Sequence, residues 1–466
     1  MGFIEQNSKA LQRRLGDWVD RGLDRQVRLA VTGLSRSGKT AFITALVNQL
    51  EHACDDARLP LWGVARTGRL LGVRRVGQLN AHIPSFAYER GLERLFGDPP
   101  AWPEPTRGVA EIRLAIRYRP TGAVRRRLSD TATLYLDIVD YPGEWLLDLP
   151  LLDLDYRQWS AMVLASLRDP VVRELAAPWL QHQLRAEQGF DERLAAELAQ
   201  AYTAFLHACK ERLGLSLIQP GRFVLPGEYA GAPMLQFVPW AWNEPLAETA
   251  EGSMYATLAH RYEQYKRHLV RGFYKEHFSG FDRQIVLVDC LQALNAGPDG
   301  FEDMRQAIGR IMQSFAYGKS SWWRRLFVPR IDRLLFVASK ADHVTPEQHH
   351  NMVSLLQHIV QSARGQARFE GVTTDCLAIA AVRATEPGTG RHGGVELPGI
   401  RGHGLDGERL FVAPGRVPPA PPEPAWWRDR EGAFDAFRPL RMARGHAMPH
   451  IRLDAALEFL LGDKMA

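Results

Sequence analysis

The chain has 466 residues, is 45% hydrophobic and 24% charged, and carries a formal net charge of +5. That is an ordinary globular composition with room for more than one core, and so mild a basic excess points to no nucleic-acid partner. The four cysteines, Cys54, Cys209, Cys290 and Cys376, are too far apart for a zinc-type pair and read as reduced thiols. The N-terminus has no signal-peptide core and no apolar run reaches eighteen residues, so the expectation is a cytoplasmic protein without a membrane span.

Taken in chain order, residues 5–24 place Leu11, Leu15, Trp18 and Leu23 among charges, as an amphipathic lead-in helix would. Residues 27–32 read as a short buried strand and 41–50 as a helix. Between them, Gly33-Leu-Ser-Arg-Ser-Gly38-Lys39-Thr40 fits G-x-x-x-x-G-K-[ST] without a mismatch. A strand, a glycine-rich turn and a helix N-terminus converge backbone N–H groups on an anion, and the helix dipole favours its charge. Gly33, Ser35, Arg36, Ser37, Gly38, Lys39, Thr40 and Ala41 are therefore the candidate phosphate cradle. Lys39 is the expected partner of the β- and γ-phosphates and a catalytic residue. The Thr40 hydroxyl is an expected Mg²⁺ ligand.

Residues 51–105, rich in Gly, Arg and Pro, are expected to be irregular, and the arginines of 66–75 are candidates for an internal arginine finger. Thr106 is the expected switch threonine on Mg²⁺, with Thr67 as its rival. Residues 111–118 alternate in period two and pair with 132–139 as a hairpin. The second strand ends in Asp140-Tyr-Pro-Gly143-Glu144, an Asp-x-x-Gly element. Asp140 is placed to hold Mg²⁺, and Gly143 to offer its N–H to a γ-phosphate. Glu144 stands where a water-orienting residue belongs and is a catalytic candidate, with a structural role as the alternative.

Residues 150–280 have helical periodicity over 168–213 and 253–278 and no parallel-sheet signal, so a helical insertion is expected. Strands at 284–290, 333–339 and 377–382 then alternate with helices at 300–315 and 346–364, the pattern of a parallel sheet covered by helices. Asp289 ends the first of these strands and is read as structural. Ser339-Lys340-Ala341-Asp342 ends the second. An Asp there accepts two hydrogen bonds from guanine that adenine cannot supply, and the Lys340 stem packs over the base. Ala380-Ala381-Val382-Arg383 follows the third strand, with Ala381 and Val382 as backbone contacts to the base. His349-His350 is read as a solvated helix start. The stretch 319–325 is read as a loop on the sheet edge rather than a membrane contact. Residues 386–425 are expected to form an extended Gly/Pro-rich loop, and 453–461 a docking helix.

These segments resemble the YcjX-like family of bacterial P-loop proteins. The likeness lies in the P-loop at 33–40, in Asp-Tyr-Pro-Gly-Glu-Trp-Leu-Leu-Asp-Leu-Pro at 140–150, in Ser-Lys-Ala-Asp at 339–342, and in Arg-Leu-Asp-Ala-Ala-Leu-Glu-Phe-Leu-Leu-Gly-Asp-Lys at 452–464. The resemblance implies a GTP-binding and GTP-hydrolysing protein of Gram-negative bacteria linked to stress responses, with no defined protein target. The expected fold is α/β, a P-loop NTPase of the Ras-like GTPase kind, with a mostly parallel sheet, helices on both faces and a helical insertion. Its expected divisions are a lead-in at 1–26, a first GTPase part at 27–149, the insertion at 150–280, a second GTPase part at 281–385 and a C-terminal part at 386–466. GTP or GDP and Mg²⁺ are the expected ligands. The rival readings are a P-loop ATPase or kinase, and a nucleotide-gated scaffold that hydrolyses little.

Overall fold

Alternate residues of strand β1 (Arg25–Gly33) face two different cores: Val27, Leu29 and Val31 lie on one side and Ala30 on the other. A strand buried on both faces is read as a near-continuous apolar run, and it belongs inside a sheet covered by helices. The computed structural model describes residues 25–466 except 35, 56–58, 106–107, 122–128, 184–189, 216–217, 242–251, 277–279, 316–330, 393–394 and 431. The lead-in helix expected over 5–24, Ser35, Thr106 and the stretch 319–325 lie outside the described residues.

The fold is α/β. Strands β2 (Leu70–Val76), β3 (Ala110–Tyr118), β4 (Ala132–Asp140), β5 (Arg283–Val288), β6 (Arg333–Ser339) and β7 (Thr373–Ile379) join β1 in one sheet of order β2-β3-β4-β1-β5-β6-β7. From β4 to β7 all pairings are parallel, whereas β2, β3 and β4 are antiparallel. One face is covered by the P-loop helix Lys39–Glu51, the helix Tyr88–Leu95 and the C-terminal helix Leu453–Leu461. The other carries the helices Gly297–Phe315, His349–Ile359 and Gln361–Phe369, together with the insertion.

Between β4 and β5 the described elements are helical, including Tyr156–Ser166, Pro170–Gln183, Glu192–Arg212 and Met254–Gln264. A π-helical stretch, Tyr265–Val270, continues into Arg271–Glu276. Trp159, Trp179, Tyr202, Phe237 and Tyr262 pack here as a buried aromatic cluster. The same apolar core runs on to Val139, Val286 and Phe336 of the sheet, so the insertion is built onto the sheet face.

Three sequence expectations are corrected. Residues 51–105 are not irregular, since they hold β2 and the helix Tyr88–Leu95. A register shift at Leu70/Gly72 breaks the alternation of β2, and Gly91 interrupts the helix in sequence only. A Cβ at Gly91 would lie 2.6 Å from Thr44 Oγ1, so the glycine permits close packing on the P-loop helix. Residues 386–425 are not a loop throughout, because β8 (Thr385–His392), β9 (Val395–His403) and β10 (Arg409–Val412) form a second, antiparallel sheet. Side chains at Gly390 and Gly399 would collide with the Phe411 ring that lies across them. The last strand of the main sheet spans Thr373–Ile379, and only 377–379 of it falls in the expected 377–382.

Candidate functional site

Parallel strands bring their C-terminal ends to one edge, and in an open α/β sheet that edge is where ligands bind. Gly33 lies opposite Leu287 of β5, and Asp140 opposite Val31 of β1. Ala338 lies opposite Val288, and Ser339 opposite Ile379. The register therefore aligns the P-loop, the segment 140–144, the segment 339–342 and the segment 380–382 in a row, although they are spread over about 350 residues of sequence.

The P-loop turn closes with a hydrogen bond from Ser37 N–H to the Leu34 carbonyl at 3.2 Å. Arg36 and Gly38 have φ of 64° and 88°. Gly38 is also the N-cap of the helix Lys39–Glu51, and that left-handed geometry favours glycine. Gly38 brings no capping side chain and the first turn of the helix holds no acid, so the dipole at this end favours an anion. The Ser37 hydroxyl is buried without a hydrogen-bond partner among the described residues. Lys39, Thr40 and Ala41 are half-buried at the helix start.

Asp140 is buried at the end of β4. A side chain at Gly143 would collide with the Gly33 carbonyl, so the chain after Asp140 presses its backbone against the first P-loop glycine. Gly143–Asp153 continues as a buried 3₁₀ helix. Glu144, which is 4% exposed, is ion-paired with Lys210 Nζ at 2.9 Å. Burial pushes the Glu144 carboxyl up, but Lys39 and Lys210 outweigh it and hold the carboxyl below its ordinary range.

One turn further on, both Asp148 oxygens accept the Gly221 N–H, at 2.8 and 3.0 Å, and Oδ2 also accepts the Tyr265 hydroxyl. Burial nevertheless pushes the Asp148 carboxyl up to about 7. The Arg222 guanidinium lies 3.2 Å from the centroid of the Trp145 ring, whose Nε1 donates to the Leu225 carbonyl at 3.1 Å. The segment after Asp-x-x-Gly is thus tied to the insertion by an ion pair, hydrogen bonds and a cation–π contact.

On the other side of the row, Lys340 has φ of 61° and its Nζ lies 2.5 Å from Asp289 Oδ2. Asp289 also N-caps the helix Cys290–Asn295 through Gln292 N–H. Asp342 is buried, and its Oδ2 accepts the backbone N–H groups of Ala384 at 2.6 Å and Thr385 at 3.2 Å. The carboxylate therefore anchors the start of β8. Sequence reasoning gave Asp342 only to a base and missed this anchor. Ala380 exchanges backbone hydrogen bonds with Ile451, and Arg383 N–H donates to the Pro449 carbonyl, so the loop carrying Ala381 and Val382 is pinned by the C-terminal segment.

Some expected residues lie elsewhere. The Thr67 hydroxyl donates to the Gly63 carbonyl. Of the arginine-finger candidates, Arg69 binds the carbonyls of Arg119 and Met465, and Arg75 is paired with Glu51 and Glu89. His349 binds the Ala341 carbonyl, and no group of three or more metal-ligating His, Cys, Asp or Glu occurs among the described residues. Lys210, Gly221 and Tyr265 were missed because nothing near them in sequence marks them. Asp148 left a signal: an acid alone in the apolar run from Trp145 to Leu152 must find a buried partner.

Residues 27–465 match the family described as YcjX-like family, DUF463. The chain is 53% identical over 465 residues to the Ras-like GTPase YcjX of Escherichia coli (strain K12), across 98% of this chain and 100% of that protein. It is 43% identical over 489 aligned positions to the Ras-like GTPase YcjX of Shewanella oneidensis, across 100% of both.

Proposed function

The chain belongs to the YcjX-like family, and on that premise we propose that it binds guanine nucleotide along the C-terminal edge of the sheet and hydrolyses GTP as a nucleotide-dependent switch. The observation that carries this reading is the row of four elements that the strand register places on that edge. The backbone of 33–41 cradles the phosphates and Lys39 offsets their charge. Thr40 and Asp140 offer the hard oxygens that Mg²⁺ prefers, one at the helix start and one on the neighbouring strand. When bound, the metal polarises the phosphates. Thr106 completes the set in this reading.

Gly143 N–H meets the γ-phosphate, and the adjacent Glu144 carboxylate accepts a hydrogen bond from the attacking water. Asp342 reads the guanine N1–H and amine through Oδ1, since Oδ2 is occupied by Ala384 and Thr385. Lys340 covers the base, and Ala381 and Val382 approach its carbonyl. The insertion, tied to 143–153, changes position with the nucleotide state. A bacterial stress response is the setting that the family resemblance implies. No helix among the described residues is long and apolar enough to cross a membrane, and the switch is proposed to act in the cytoplasm on a protein effector.

Displacement of a fluorescent GDP analogue tests the base. GTP is expected to compete and ATP to fail at a hundredfold higher concentration (about 2.7 kcal/mol of discrimination). Asp342→Asn keeps an acceptor for the β8 anchor but turns a donor toward guanine, so guanine binding should weaken by about 10²-fold or more while xanthine nucleotides gain. Equal competition by ATP would favour an ATPase. Single-turnover hydrolysis with Mg²⁺, and its loss on chelation, tests the chemistry.

A further inference from the structure

The Glu144 carboxylate is ion-paired with one lysine and feels the charge of a second, and the two have different origins. Lys39 belongs to the P-loop, and Lys210 to the last turn of the insertion helix Glu192–Arg212. Glu144 is buried, and the backbone around it is tightly packed: Gly143 lies against the backbone of Gly33, and Gly221 against the Glu144 carbonyl. The Lys210 ammonium is therefore brought, 66 residues from its partner in sequence, onto the side chain that directly follows Gly143, whose N–H meets the γ-phosphate in the reading above.

Two other cations are held by different elements: Lys340 is paired with Asp289, and Arg222 is stacked on Trp145. Lys210 differs in position, because its partner directly follows Gly143, whose backbone lies against the first P-loop glycine. Its own side chain is 23% exposed and has a flexible four-carbon stem.

We propose that Lys210 is a cationic finger supplied in cis by the insertion: it rests on Glu144 without nucleotide and moves to the γ-phosphate oxygens when GTP is bound. The inference rests on the GTPase reading above. The incoming phosphate competes with Glu144 for both lysines. Lys210 gains a more highly charged partner, and the Glu144 carboxylate is left to accept a hydrogen bond from water. In the step itself the water oxygen bonds to the γ-phosphorus as the bridging β–γ P–O bond breaks. The electron pair leaves with GDP, and the water proton ends on the released phosphate. Charge spread over the γ-oxygens and the bridging oxygen is what a cation held in a water-poor site stabilises. The same movement releases the insertion helix from residues 143–153, so charge transfer and switching are one event.

The test compares wild type with Lys210→Ala and Lys210→Arg in three measurements: GDP affinity, single-turnover GTP hydrolysis, and capture of aluminium fluoride by the GDP complex, which mimics the transferring phosphoryl group. Lys210→Ala should bind GDP within about twofold of wild type, hydrolyse about 10²- to 10³-fold more slowly and fail to capture aluminium fluoride. Lys210→Arg should recover part of both losses. Hydrolysis by Lys210→Ala within threefold of wild type would overturn the proposal. So would equal losses of GDP affinity and hydrolysis in both variants with a lowered unfolding midpoint, because that pattern marks a structural ion pair alone. A wild type that neither binds nor hydrolyses GTP would instead sink the reading on which the proposal rests.

Discussion

The two faces of the seven-stranded sheet are covered in different ways. Over the P-loop helix and the C-terminal helix the contact is apolar, as Leu46, Val47 and Leu50 meet a core that includes Leu457, Leu460 and Leu461, and the buried ion pair of Arg283 with Asp463 lies at the start of β5, away from the site. Its buried polar groups, such as Asn48 and Gln49, bind the backbone of the C-terminal segment. Under the insertion the contact is apolar at its centre but charged where it meets the site, with Glu144, Lys210, Asp148, Arg222 and Tyr265 in one buried region. Apolar packing has no directional preference and no alternative partner of a different charge. A buried charge whose partner is lost is costly, so it is stable only in discrete paired arrangements. In the proposed switch the first face would hold the P-loop still, and the second is the face that would rearrange.

That contrast breaks most directly at Leu457 and Asp148. Leu457→Ala on the apolar face should cost about 2–5 kcal/mol in denaturant unfolding, with no change in the ratio of GTP to GDP affinity. Asp148→Ala leaves the Gly221 N–H and the Tyr265 hydroxyl buried without their acceptor, at about 2–4 kcal/mol, and should alter that ratio as well. If both variants leave the ratio untouched, the two faces do not differ in function.

The pH dependence sharpens the same point. Burial raises the folded-state pKa of Asp148 to about 7, above its unfolded value, despite the hydrogen bonds from Tyr265 and Gly221. The folded protein then holds a proton that the unfolded chain has released between about pH 4 and pH 7. The contribution of Asp148 to stability is fully present below the unfolded pKa and is lost as pH rises through the folded one. Unfolding at pH 5 and pH 8 should therefore show a decline in wild type that is smaller in Asp148→Asn. Identical declines would remove Asp148 as the titrating group. The smallest effect belongs to the exposed edge. Arg75→Ala breaks ion pairs to Glu51 and Glu89, yet with side chains so open to solvent it should cost less than about 1 kcal/mol.

What was legible in the sequence was local. The P-loop, the apolar strand ending in Asp140 and the strand ending in Ser339-Lys340-Ala341-Asp342 are each carried by a few adjacent residues whose spacing has one good structural solution. Glycines were the main source of error. Gly91 and Gly390 look like breaks in a helix and a strand, but each is small because Thr44 or Phe411 occupies the space where its side chain would be. That neighbour is not visible in a window of local sequence.

The sequence by itself determined the P-loop motif, the acid at the end of β4 and the parallel β/α alternation, because short-range periodicity and motif spacing encode them directly, and the family followed from the resemblance of its motifs. Tertiary structure alone decided the alignment of four distant elements on one edge, the second use of Asp342 as the β8 anchor and the meeting of Lys210 with Glu144. These depend on strand register and on which face the insertion packs. Both are set by burial summed over the whole sheet, and no single segment carries them.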